Sequence, residues 1–492
     1  MKLIAAFDVG TTAVKGVLVS ERGELVFSQK VNISTNYHDG FVEQNPEEWY
    51  DAFCRIAQEF VSGFCSPEEI TGIVMSGQMQ DVILLDADRN AIGNAILYSD
   101  NRAVKEAGEL VAKLGDKQVY RITGNEINGT SPLAKIAWLK ENKPALLERA
   151  KSVLFCAKDY CTAKLTGKIV ADVTAASTVG AMDLHGKQWN ENFIAAAGVD
   201  RGLFPLIEYA HKPAGTVTKE AQVQCSLLAG TPVYIGTGDA GATTLASGIG
   251  KNGEFNINIG TSGWVACVDS ALEPIEGVFH LAAVQENIYL SVVPFLNAGN
   301  VHKWIAQIIS PDGDENKYLY LTELLKTRTC GSNGLLFLPY LVGERFPIMD
   351  GETKGCFIGA TPEMSKVDLV SACMEGVAFS IRQGISAFHT VPRKITMIGG
   401  GVHDADWCQI FADVLGIPIE IFPQSEYMPA ISLAASALLG QGKITGYDEF
   451  LSRLQKDNKT YYPVARNTAV YDKLYERFIR IYPAVKGLFR VK

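Results

Sequence analysis

A short glycine–threonine turn occurs twice in this sequence, once in each half, and it constrains the fold more than any other feature. The first copy, Gly10, Thr11 and Thr12, follows an apolar stretch that predicts a buried strand and precedes a valine-rich stretch that predicts its hairpin partner. The second copy, with Gly260 and Thr261, has similar flanks. Because internal repeats indicate related structural units, we expect two similar lobes that face each other across one ligand.

The residue types in these turns favour a phosphate ligand. Glycine has no Cβ, so the backbone at Gly10 can approach a ligand closely, while the hydroxyls of Thr11 and Thr12 lie beside the amides of the turn. Asp8, at the end of the first strand, is well placed to hold a metal ion through water. An ordinary surface hairpin would explain one such turn, but the second copy favours the phosphate interpretation.

Length and composition limit the class of protein. A chain of 492 residues exceeds what one hydrophobic core usually supports, and we place two domains at residues 1–247 and 248–492. A net charge of −9 without a basic run argues against a nucleic-acid partner, and no apolar run is long enough to span a membrane. Ten cysteines without a CxxC pair, and no signal-peptide pattern, predict a cytoplasmic protein with reduced thiols and no metal cluster.

A polar stretch at residues 76–81 separates two apolar segments that predict strands. Its Gln78, Met79, Gln80 and Asp81 supply amides, a thioether and a carboxylate beside a glycine. Sugar hydroxyls need donors and acceptors at fixed positions, so we predict that these four residues contact a sugar or polyol. The alternative is a turn without a binding role.

Asp100, Asn101 and Arg102 are predicted to open a helix. Asp100 could cap this helix, because a short acidic side chain accepts hydrogen bonds from the free N–H groups at a helix start. It could equally present its carboxylate to a sugar hydroxyl. We therefore include Asp100 and Arg102 among the candidate sugar-binding residues.

Asp239 is the main candidate for catalysis. It follows a glycine-rich turn at the carboxyl end of a predicted strand, residues 233–235, and precedes a predicted helix at residues 242–245. Ligands of α/β folds collect at such strand ends. A helix cap is the alternative role, but the three glycines around Asp239 exceed what a cap needs and indicate that a ligand comes close.

A second glycine run, which includes Gly400 and Gly401, lies between a predicted strand at residues 395–398 and a helix that begins at Asp404. A strand, a glycine run and a helix N-terminus together form a site for phosphate or ribose. The run is not the GxGxxG dinucleotide fingerprint, and the sequence contains no Walker A motif.

In their order along the chain, these motifs resemble those of the FGGY carbohydrate kinase family, within the actin, hexokinase and heat-shock ATPase superfamily. The likeness covers two phosphate motifs, an adenosine motif, a helix signature and a C-terminal signature, at residues 8–16, 258–263, 397–401, 132–142 and 355–375. The resemblance implies an α/β fold of two actin-like, ribonuclease H-like lobes that face each other across a nucleotide and sugar cleft.

The resemblance also implies a role for each candidate residue. Asp239 would be the general base for a terminal sugar hydroxyl that attacks the γ-phosphate of ATP. Asp8 would hold Mg²⁺ through water, and Lys15 would lie near the γ-phosphate. The remaining nucleotide-binding residues would be Gly10, Thr11, Thr12, Gly260, Thr261, Gly400, Gly401 and Asp404. The family's pentulose kinases are usually dimers, which implies a homodimer here.

Within the family, the landmarks resemble those of xylulokinases, which implies D-xylulose as substrate and D-xylulose 5-phosphate as product. Gln80 and Asp81 depart from the usual His-Gly, and Ala240 departs from the usual Asn after the catalytic Asp. Residues 428–434 are bulkier than the family's pattern near the adenine, which could alter nucleotide preference. Another ketose or polyol, such as ribulose, fuculose, L-xylulose or erythritol, therefore stays open as the substrate.

Two other classes of protein share these phosphate motifs. A non-catalytic regulator that binds a sugar or nucleotide would be expected to carry a DNA-binding helix pair, whereas this chain starts directly in predicted strands. An actin-like or chaperone ATPase would not need the polar residues at 78–81 and 100–102. Both observations favour a kinase.

Overall fold

A computed structural model describes residues 1–311, 315–422, 426–454 and 458–489 of the chain. Two mixed β-sheets form the centres of two lobes, and both sheets have the same pattern of strand pairing. The strands of the first half are β1 (Leu3–Val9), β2 (Ala13–Ser20), β3 (Leu25–Asn32), β4 (Asn36–His38), β5 (Phe41–Gln44), β6 (Ile70–Gly77), β7 (Met79–Leu85), β8 (Ala95–Ile96), β9 (Ser152–Cys156), β10 (Val170–Asp172), β11 (Met182–Asp183), β12 (Gln188–Trp189), β13 (Leu206–Glu208), β14 (Pro213–Thr216), β15 (Pro232–Tyr234) and β16 (Thr237–Gly238). Those of the second half are β17 (Phe255–Ile259), β18 (Gly263–Asp269), β19 (Phe279–Ala282), β20 (Tyr289–Phe295), β21 (Leu336–Leu338), β22 (Cys356–Ile358), β23 (Ile395–Ile398), β24 (Ile419–Ile421) and β25 (Lys459–Tyr461).

The two central sheets are structural repeats of each other. The first has the order β3–β2–β1–β6–β15–β14, and the second has the order β20–β18–β17–β23–β24–β25, with β16 and β19 as additional strands. In each sheet the first three strands are antiparallel, the next two pairings are parallel, and the last is antiparallel. This arrangement confirms the predicted α/β fold of two related lobes.

The two predicted hairpins occupy equivalent positions in these sheets. Val9 pairs with Val14 in the first hairpin and Ile259 pairs with Gly263 in the second, so four residues lie between the last pair of the first hairpin and three between the last pair of the second. The turns lie where β1 and β17 end beside their parallel neighbours β6 and β23. Each turn is therefore at the carboxyl edge of its sheet, where α/β folds bind their ligands.

Helices cover both sheets and supply most of the remaining core. In chain order they are α1 (Pro46–Gly63), α2 (Val104–Leu114), α3 (Asp116–Thr123), α4 (Pro132–Asn142), α5 (Pro144–Arg149), α6 (Ala157–Thr166), α7 (Val173–Ala176), α8 (Glu191–Ala196), α9 (Lys219–Cys225), α10 (Asp239–Ala246), α11 (Gly299–Ile309), α12 (Lys317–Leu325), α13 (Lys366–Ile385), α14 (Ala405–Leu415), α15 (Met428–Gly440), α16 (Tyr447–Leu454), α17 (Ala465–Phe478) and α18 (Ile481–Phe489). None of the helices in the described ranges is long and apolar enough to span a membrane.

The stretch at residues 76–81, predicted to separate two strands, is itself mostly strand. Strand β6 continues through Gly77, and β7 begins at Met79, so Gln78 alone separates them. Gly77 allows this close connection, because a Cβ at that position would lie 2.8 Å from the backbone nitrogen of Lys158 on α6. Strand β7 then joins a second sheet of the first lobe, β4–β5–β8–β7–β9.

The helix predicted to open at Asp100 begins later, at Val104. Asp100 does not cap it, because its carboxylate accepts hydrogen bonds from the backbone N–H groups of Val42, at 2.6 Å, and Arg102, at 2.9 Å. The competing partner, Val42, is distant in the sequence, so a local capping pattern could not reveal it.

One helix near the end of the chain returns to the first lobe. Helix α15 packs against β1 and β6 of the first sheet, and Ile431, Leu433 and Ala434 join its buried cluster. The buried residues of this helix pack beside strands of the first lobe, and the placement of residues 428–434 near an adenine stays a prediction. The division of the chain at residue 247 stays a prediction.

Candidate active site

A cavity of about 280 Å³ lies between the lobes and contains Asp239. From the first lobe it is lined by Met79, Gln80, Tyr98, Thr178, Asp239, Ala240 and Thr244. From the second half of the chain it is lined by Trp264, Phe279, Leu281, Leu290, Val292, Pro294 and Arg345. Mostly apolar walls with a few polar groups are typical of a small-molecule site, and we name this cavity the interlobe pocket.

Asp239 is the first residue of α10, directly after the short strand β16. Its Oδ1 accepts a hydrogen bond from the backbone N–H of Ala240 at 2.8 Å, and Gly238 occupies the cap position. Asp239 is exposed to the open cleft, but loss of hydration between the cleft walls and the negative charge of Asp8 raise its pKa to about 7. A carboxylate with this pKa can both accept and release a proton near neutral pH.

Asp8 lies at the end of β1, one residue before the first turn. Its Oδ1 accepts a 2.9 Å hydrogen bond from the hydroxyl of Ser76 on the neighbouring strand. Burial raises the pKa of Asp8, while the Ser76 hydroxyl and the positive charge of Lys15 act in the opposite direction. Oδ2 faces Gly10, 3.8 Å from where a Cβ of that residue would lie.

A metal ion held at Asp8 would have few carboxylates from the protein. The described residues contain no cluster of three or more histidine, cysteine, aspartate or glutamate side chains that could enclose a metal. Mg²⁺ in nucleotide sites keeps several waters and needs only one or two carboxylates besides the phosphates. The Oδ2 atom of Asp8, beside the turn, fits such a water-mediated contact.

Hydrogen bonds connect the first turn to the side chains of Gln78 and Gln44. The hydroxyl of Thr11 donates to Oε1 of Gln78 at 2.8 Å, and Nε2 of Gln78 donates to Oε1 of Gln44 at 2.8 Å. Nε2 of Gln44 in turn donates to the Thr11 carbonyl at 2.7 Å, and the indole of Trp49 donates to Gln44. Gln78 is buried, does not line the interlobe pocket, and has its amide engaged in this network.

The predicted sugar-binding residues of β7 separate into two groups. Met79 and Gln80 line the interlobe pocket. Asp81 does not line it, and its carboxylate is buried and accepts a hydrogen bond from the backbone N–H of Tyr98 at 3.2 Å. The positive φ of Gln80 interrupts the regular alternation of strand side chains between the two residues. Burial raises the pKa of Asp81 well above its usual range.

Asp100 and Arg102 lie outside the interlobe pocket. Arg102 donates to both oxygens of Asp100, at 2.7 and 2.9 Å, and to Glu43 at 2.8 Å. Its guanidinium stacks on Phe41 at 3.9 Å and borders a different cavity, next to Trp138. Both oxygens of Asp100 accept hydrogen bonds from Arg102, so the pair has a structural role. Neither residue lines the interlobe pocket.

The remaining candidates of the first turn face solvent or a neighbouring acid. Thr12 is exposed, and Gly10 donates its N–H to the carbonyl of Ala13 at 3.1 Å. Nζ of Lys15 lies 3.4 Å from a carboxylate oxygen of Glu426 and opposite Asp8 in the hairpin register. Gly10 has no left-handed φ, so its use is space for a close approach and not an unusual dihedral.

A larger cavity, of about 580 Å³, borders the second turn and the second glycine run. It is lined by the predicted residues Gly260, Thr261, Gly400, Gly401 and Asp404, and also by Ile259, Gly299, Asn300, His302, Lys303, Tyr318, Leu319, Thr322, His403 and Trp407. Its volume suits a nucleotide, and we name it the nucleotide cavity.

The glycine run owes part of its composition to packing. Gly399 has φ +93°, and a Cβ there would lie 2.5 Å from the carbonyl of Ile259. A Cβ at Gly401 would lie 2.6 Å from the Ile259 side chain, whereas one at Gly400 would meet nothing closer than 3.9 Å. Gly400 is therefore the position of the run that is open toward the cavity.

Asp404 lies at the mouth of this cavity but its carboxylate has local partners. Oδ1 accepts from the N–H groups of Asp406 and Trp407 at 3.0 Å and caps α14, and Oδ2 accepts from the hydroxyl of Thr322 at 2.7 Å. The start of this helix was visible in the sequence. The bond to Thr322, which joins α12 to α14, was not.

Sequence reasoning missed several residues of both cavities. Trp264 and Arg345 reach the interlobe pocket from the second half of the chain, and Tyr98 forms part of its first-lobe wall. His302 packs between Tyr318 and Trp407, with ring centroids 5.0 and 5.1 Å apart, in the nucleotide cavity. The charged loop after β21 could have indicated Arg345. The apolar pattern of α11 contained no indication that His302 would line a cavity.

Comparison with known proteins identifies the family. The N-terminal domain of the FGGY family of carbohydrate kinases matches residues 3–246, and its C-terminal domain matches residues 255–437. The chain belongs to the FGGY family of carbohydrate kinases. Its two halves therefore correspond to the two domains of a carbohydrate kinase.

Individual FGGY kinases resemble the chain over its whole length. The xylulose kinase of Bacillus subtilis is 29% identical over 99% of this chain and 98% of its own length. The gluconokinase of the same organism is 28% identical over 96% of this chain and 94% of its own length. The crystal structure of ligand-bound xylulose kinase from Lactobacillus acidophilus superposes with a TM-score of 0.91 and 26% identity, and covers 100% of both chains.

Proposed function

We propose that this FGGY kinase transfers the γ-phosphoryl group of ATP to a terminal hydroxyl of a small ketose, with D-xylulose as the first candidate, which would yield D-xylulose 5-phosphate. The observation that carries the proposal is the position of Asp239. Its carboxylate opens into a pocket of about 280 Å³ that both lobes line, beside the carboxylate of Asp8 at the first turn. The pocket is large enough for a pentose and too small for a nucleotide.

In this proposal Asp239 accepts the proton of the attacking hydroxyl. Its pKa of about 7 leaves a substantial ionised fraction at neutral pH, and the ionised carboxylate is the form that accepts a proton. Met79, Gln80 and Tyr98 supply the first-lobe wall against which the sugar lies. Phosphoryl transfer mainly requires positioning and charge neutralisation, and Asp239 on the rigid start of α10 contributes to the positioning.

The nucleotide would lie between the two turns. Thr12 and the amides of Gly10 and Thr11 would bind phosphates from the first lobe, and Gly260 and Thr261 from the second. The adenosine would occupy the nucleotide cavity, with the exposed backbone of Gly400 at its wall. Bound Mg²⁺ would neutralise phosphate charge, and Asp8 is the residue placed to hold it through water.

An aldonate such as gluconate is the second candidate substrate. Arg345, an exposed cation, lines the interlobe pocket, and a guanidinium is suited to a carboxylate ligand. A gluconokinase is nearly as similar to the chain as the xylulose kinase is. The other ketoses and polyols named above are neutral and would not use this charge.

The test is ATP consumption by the purified protein with Mg²⁺ and a panel of single sugars. The panel contains D-xylulose, L-xylulose, D-ribulose, L-ribulose, L-fuculose, glycerol, erythritol and gluconate. Selective turnover of D-xylulose supports the proposal, and selective turnover of gluconate supports the second candidate. Activity with a different ketose would show that Gln80, Asp81 and Ala240 specify another substrate. No sugar-dependent consumption would contradict both candidates and favour a non-catalytic regulator.

A further inference from the structure

Lys135 is a buried cation beneath the interlobe pocket. It lies on α4, and its side chain is 0% exposed. Its ammonium group donates to the carbonyl of Leu97 at 2.7 Å and to the carbonyl of Gln80 at 3.1 Å. Gln80 lines the interlobe pocket, and Leu97 directly precedes Tyr98, which also lines it. One side chain therefore joins the two chain segments that form the first-lobe wall.

Asp81 makes a second link between the same segments. Its Oδ1 accepts the backbone N–H of Tyr98 at 3.2 Å, while its Oδ2 is buried without a hydrogen-bond partner. Asp81 follows Gln80 directly, and its side chain does not line the pocket. A buried carboxylate that makes only this bond is costly, and the nearby charge of Lys135 offsets part of that cost.

Gln80 has a backbone conformation that needs such support. Its φ is +63°, a left-handed value that side chains other than glycine rarely adopt. The pairing of β7 with β9 is irregular between Met79 and Ile83, so no regular ladder holds the backbone here. Strained residues persist at ligand sites only where the surrounding structure fixes them, and the Lys135 ammonium binds the carbonyl of Gln80 itself.

We propose that Lys135 and Asp81 are positioning residues that fix Gln80 and Tyr98 and thereby determine which sugar the interlobe pocket accepts. Neither residue touches the substrate. Lys135 holds the left-handed backbone that directs Gln80 into the pocket, and Asp81 sets the distance between Gln80 and Tyr98. This inference rests on the proposed function, because it assigns the pocket to the sugar.

The charge state of Lys135 supports its role as a hydrogen-bond donor to the two carbonyls. Burial lowers the pKa of Lys135 to about 8, and the nearby charges of Asp81 and Asp100 oppose that decrease, so Lys135 remains mostly charged at pH 7. A charged ammonium group forms stronger hydrogen bonds to carbonyls than a neutral amine does. An apolar side chain of similar length would leave both carbonyls without this donor.

The first experiment compares Lys135→Met with Lys140→Met. Lys140 lies on the same helix but donates to the carbonyl of Gly198 at the surface, away from the pocket. For Lys135→Met we expect the KM for the sugar to rise by about tenfold or more, which corresponds to ~1.4 kcal/mol, with a KM for ATP within about twofold of wild type. We expect Lys140→Met to match wild type. An unchanged KM for the sugar, or equal increases in both KM values, would overturn the inference.

A second pair of variants, at Asp81, tests the positioning role if Lys135→Met does not fold. Asp81→Asn keeps an acceptor for the N–H of Tyr98, whereas Asp81→Ala removes it. We expect Asp81→Asn to retain the KM for the sugar and Asp81→Ala to raise it by about tenfold, since one hydrogen bond to the pocket wall is lost. Equal KM values in the two variants would contradict a positioning role for Asp81.

A structural measurement separates this inference from the proposed function. Crystal structures of wild type and Lys135→Met, both without sugar, report the backbone at residue 80 whatever the substrate is. We expect Gln80 to leave its positive φ, and Tyr98 to move, in the variant. Unchanged positions of both residues would overturn the inference even if the kinase activity is confirmed, and a wild type inactive on every sugar would contradict only the proposed function.

Discussion

Oδ1 of Asp172 accepts a 3.2 Å hydrogen bond from the backbone N–H of Gly238, one residue before Asp239. The same oxygen accepts from the hydroxyl of Thr237 at 3.2 Å, while Oδ2 lies 2.9 Å from the buried ammonium of Lys158. The backbone segment directly before the proposed base is thus hydrogen-bonded to a buried carboxylate. A rigid anchor of this kind keeps a reacting carboxylate in place.

Replacing Asp239 by asparagine should abolish the proposed proton transfer with little change in shape. We expect kcat to fall by ~10²–10⁴-fold, the usual contribution of a general base. Steady-state assays with the sugar that wild type accepts would measure this, and Asp116→Asn, at an exposed position on α3, serves as the control. Nearly full turnover by Asp239→Asn would contradict the assignment of the base.

The rate should depend on pH through the same carboxylate. Loss of hydration and the charge of Asp8 raise the pKa of Asp239 to about 7, and only the ionised form accepts a proton. We therefore expect kcat/KM to decline as the pH falls through about 7 and to become constant above that value, which gives the pH–rate profile an acidic limb. An acidic limb centred near the ordinary pKa of aspartate would show that another group controls the rate.

Replacing Asp172 by asparagine should move this limb. The negative charge of Asp172 contributes to raising the pKa of Asp239, although less than loss of hydration and Asp8 do, so its removal should shift the limb to lower pH. Loss of a buried ionic partner of Lys158 should also destabilise the protein by ~3 kcal/mol. A pH–rate profile and chemical denaturation measure the two effects. A limb displaced to higher pH would contradict this electrostatic argument.

Two neighbouring glycines offer a matched test of the nucleotide cavity. Gly401→Ala would place a Cβ 2.6 Å from the Ile259 side chain, and we expect ~1–3 kcal/mol of destabilisation from overpacking. Gly400→Ala meets nothing within 3.9 Å and should fold normally, yet it should raise the KM for ATP because its Cβ enters the cavity. An unchanged KM for ATP in Gly400→Ala would exclude the proposed approach of the nucleotide to this residue.

Gln80→Gly should separate stability from function. Glycine adopts positive φ without strain, so we expect the free energy of unfolding to rise by ~1 kcal/mol. The same change removes a polar side chain from the pocket wall, and the KM for the sugar should increase. Denaturation and steady-state kinetics measure these opposite effects. If the variant were both less stable and fully active, the strain and the role of Gln80 would both be misassigned.

Arg345→Gln should distinguish the two candidate substrate classes. If the substrate is an aldonate, loss of a charged hydrogen bond should weaken binding by ~1.5–3 kcal/mol, whereas a neutral ketose should be affected less. The KM values for gluconate and D-xylulose in the same variant give the comparison. Equal changes with both substrates would show that Arg345 does not recognise a carboxylate.

Local sequence patterns determined the repeated hairpins, the strand that leads to Asp239, and the start of the helix at Asp404. Each depends on residues that are adjacent in the chain, namely apolar runs, glycines and short polar side chains, so their spacing was sufficient to predict them. The repetition of one hairpin in both halves was also sufficient to predict two related lobes.

The tertiary structure alone decided which polar side chains were free to meet a ligand. Gln78 is engaged by Gln44, and Asp100 and Arg102 are engaged by Val42 and Glu43, all at least 34 residues away in the chain. A buried polar group must find a hydrogen-bond partner, and that partner is set by the packing of distant elements, which no local pattern contains. The pocket itself, which Gln80 and Arg345 line from different halves of the chain, exists only because the two lobes meet.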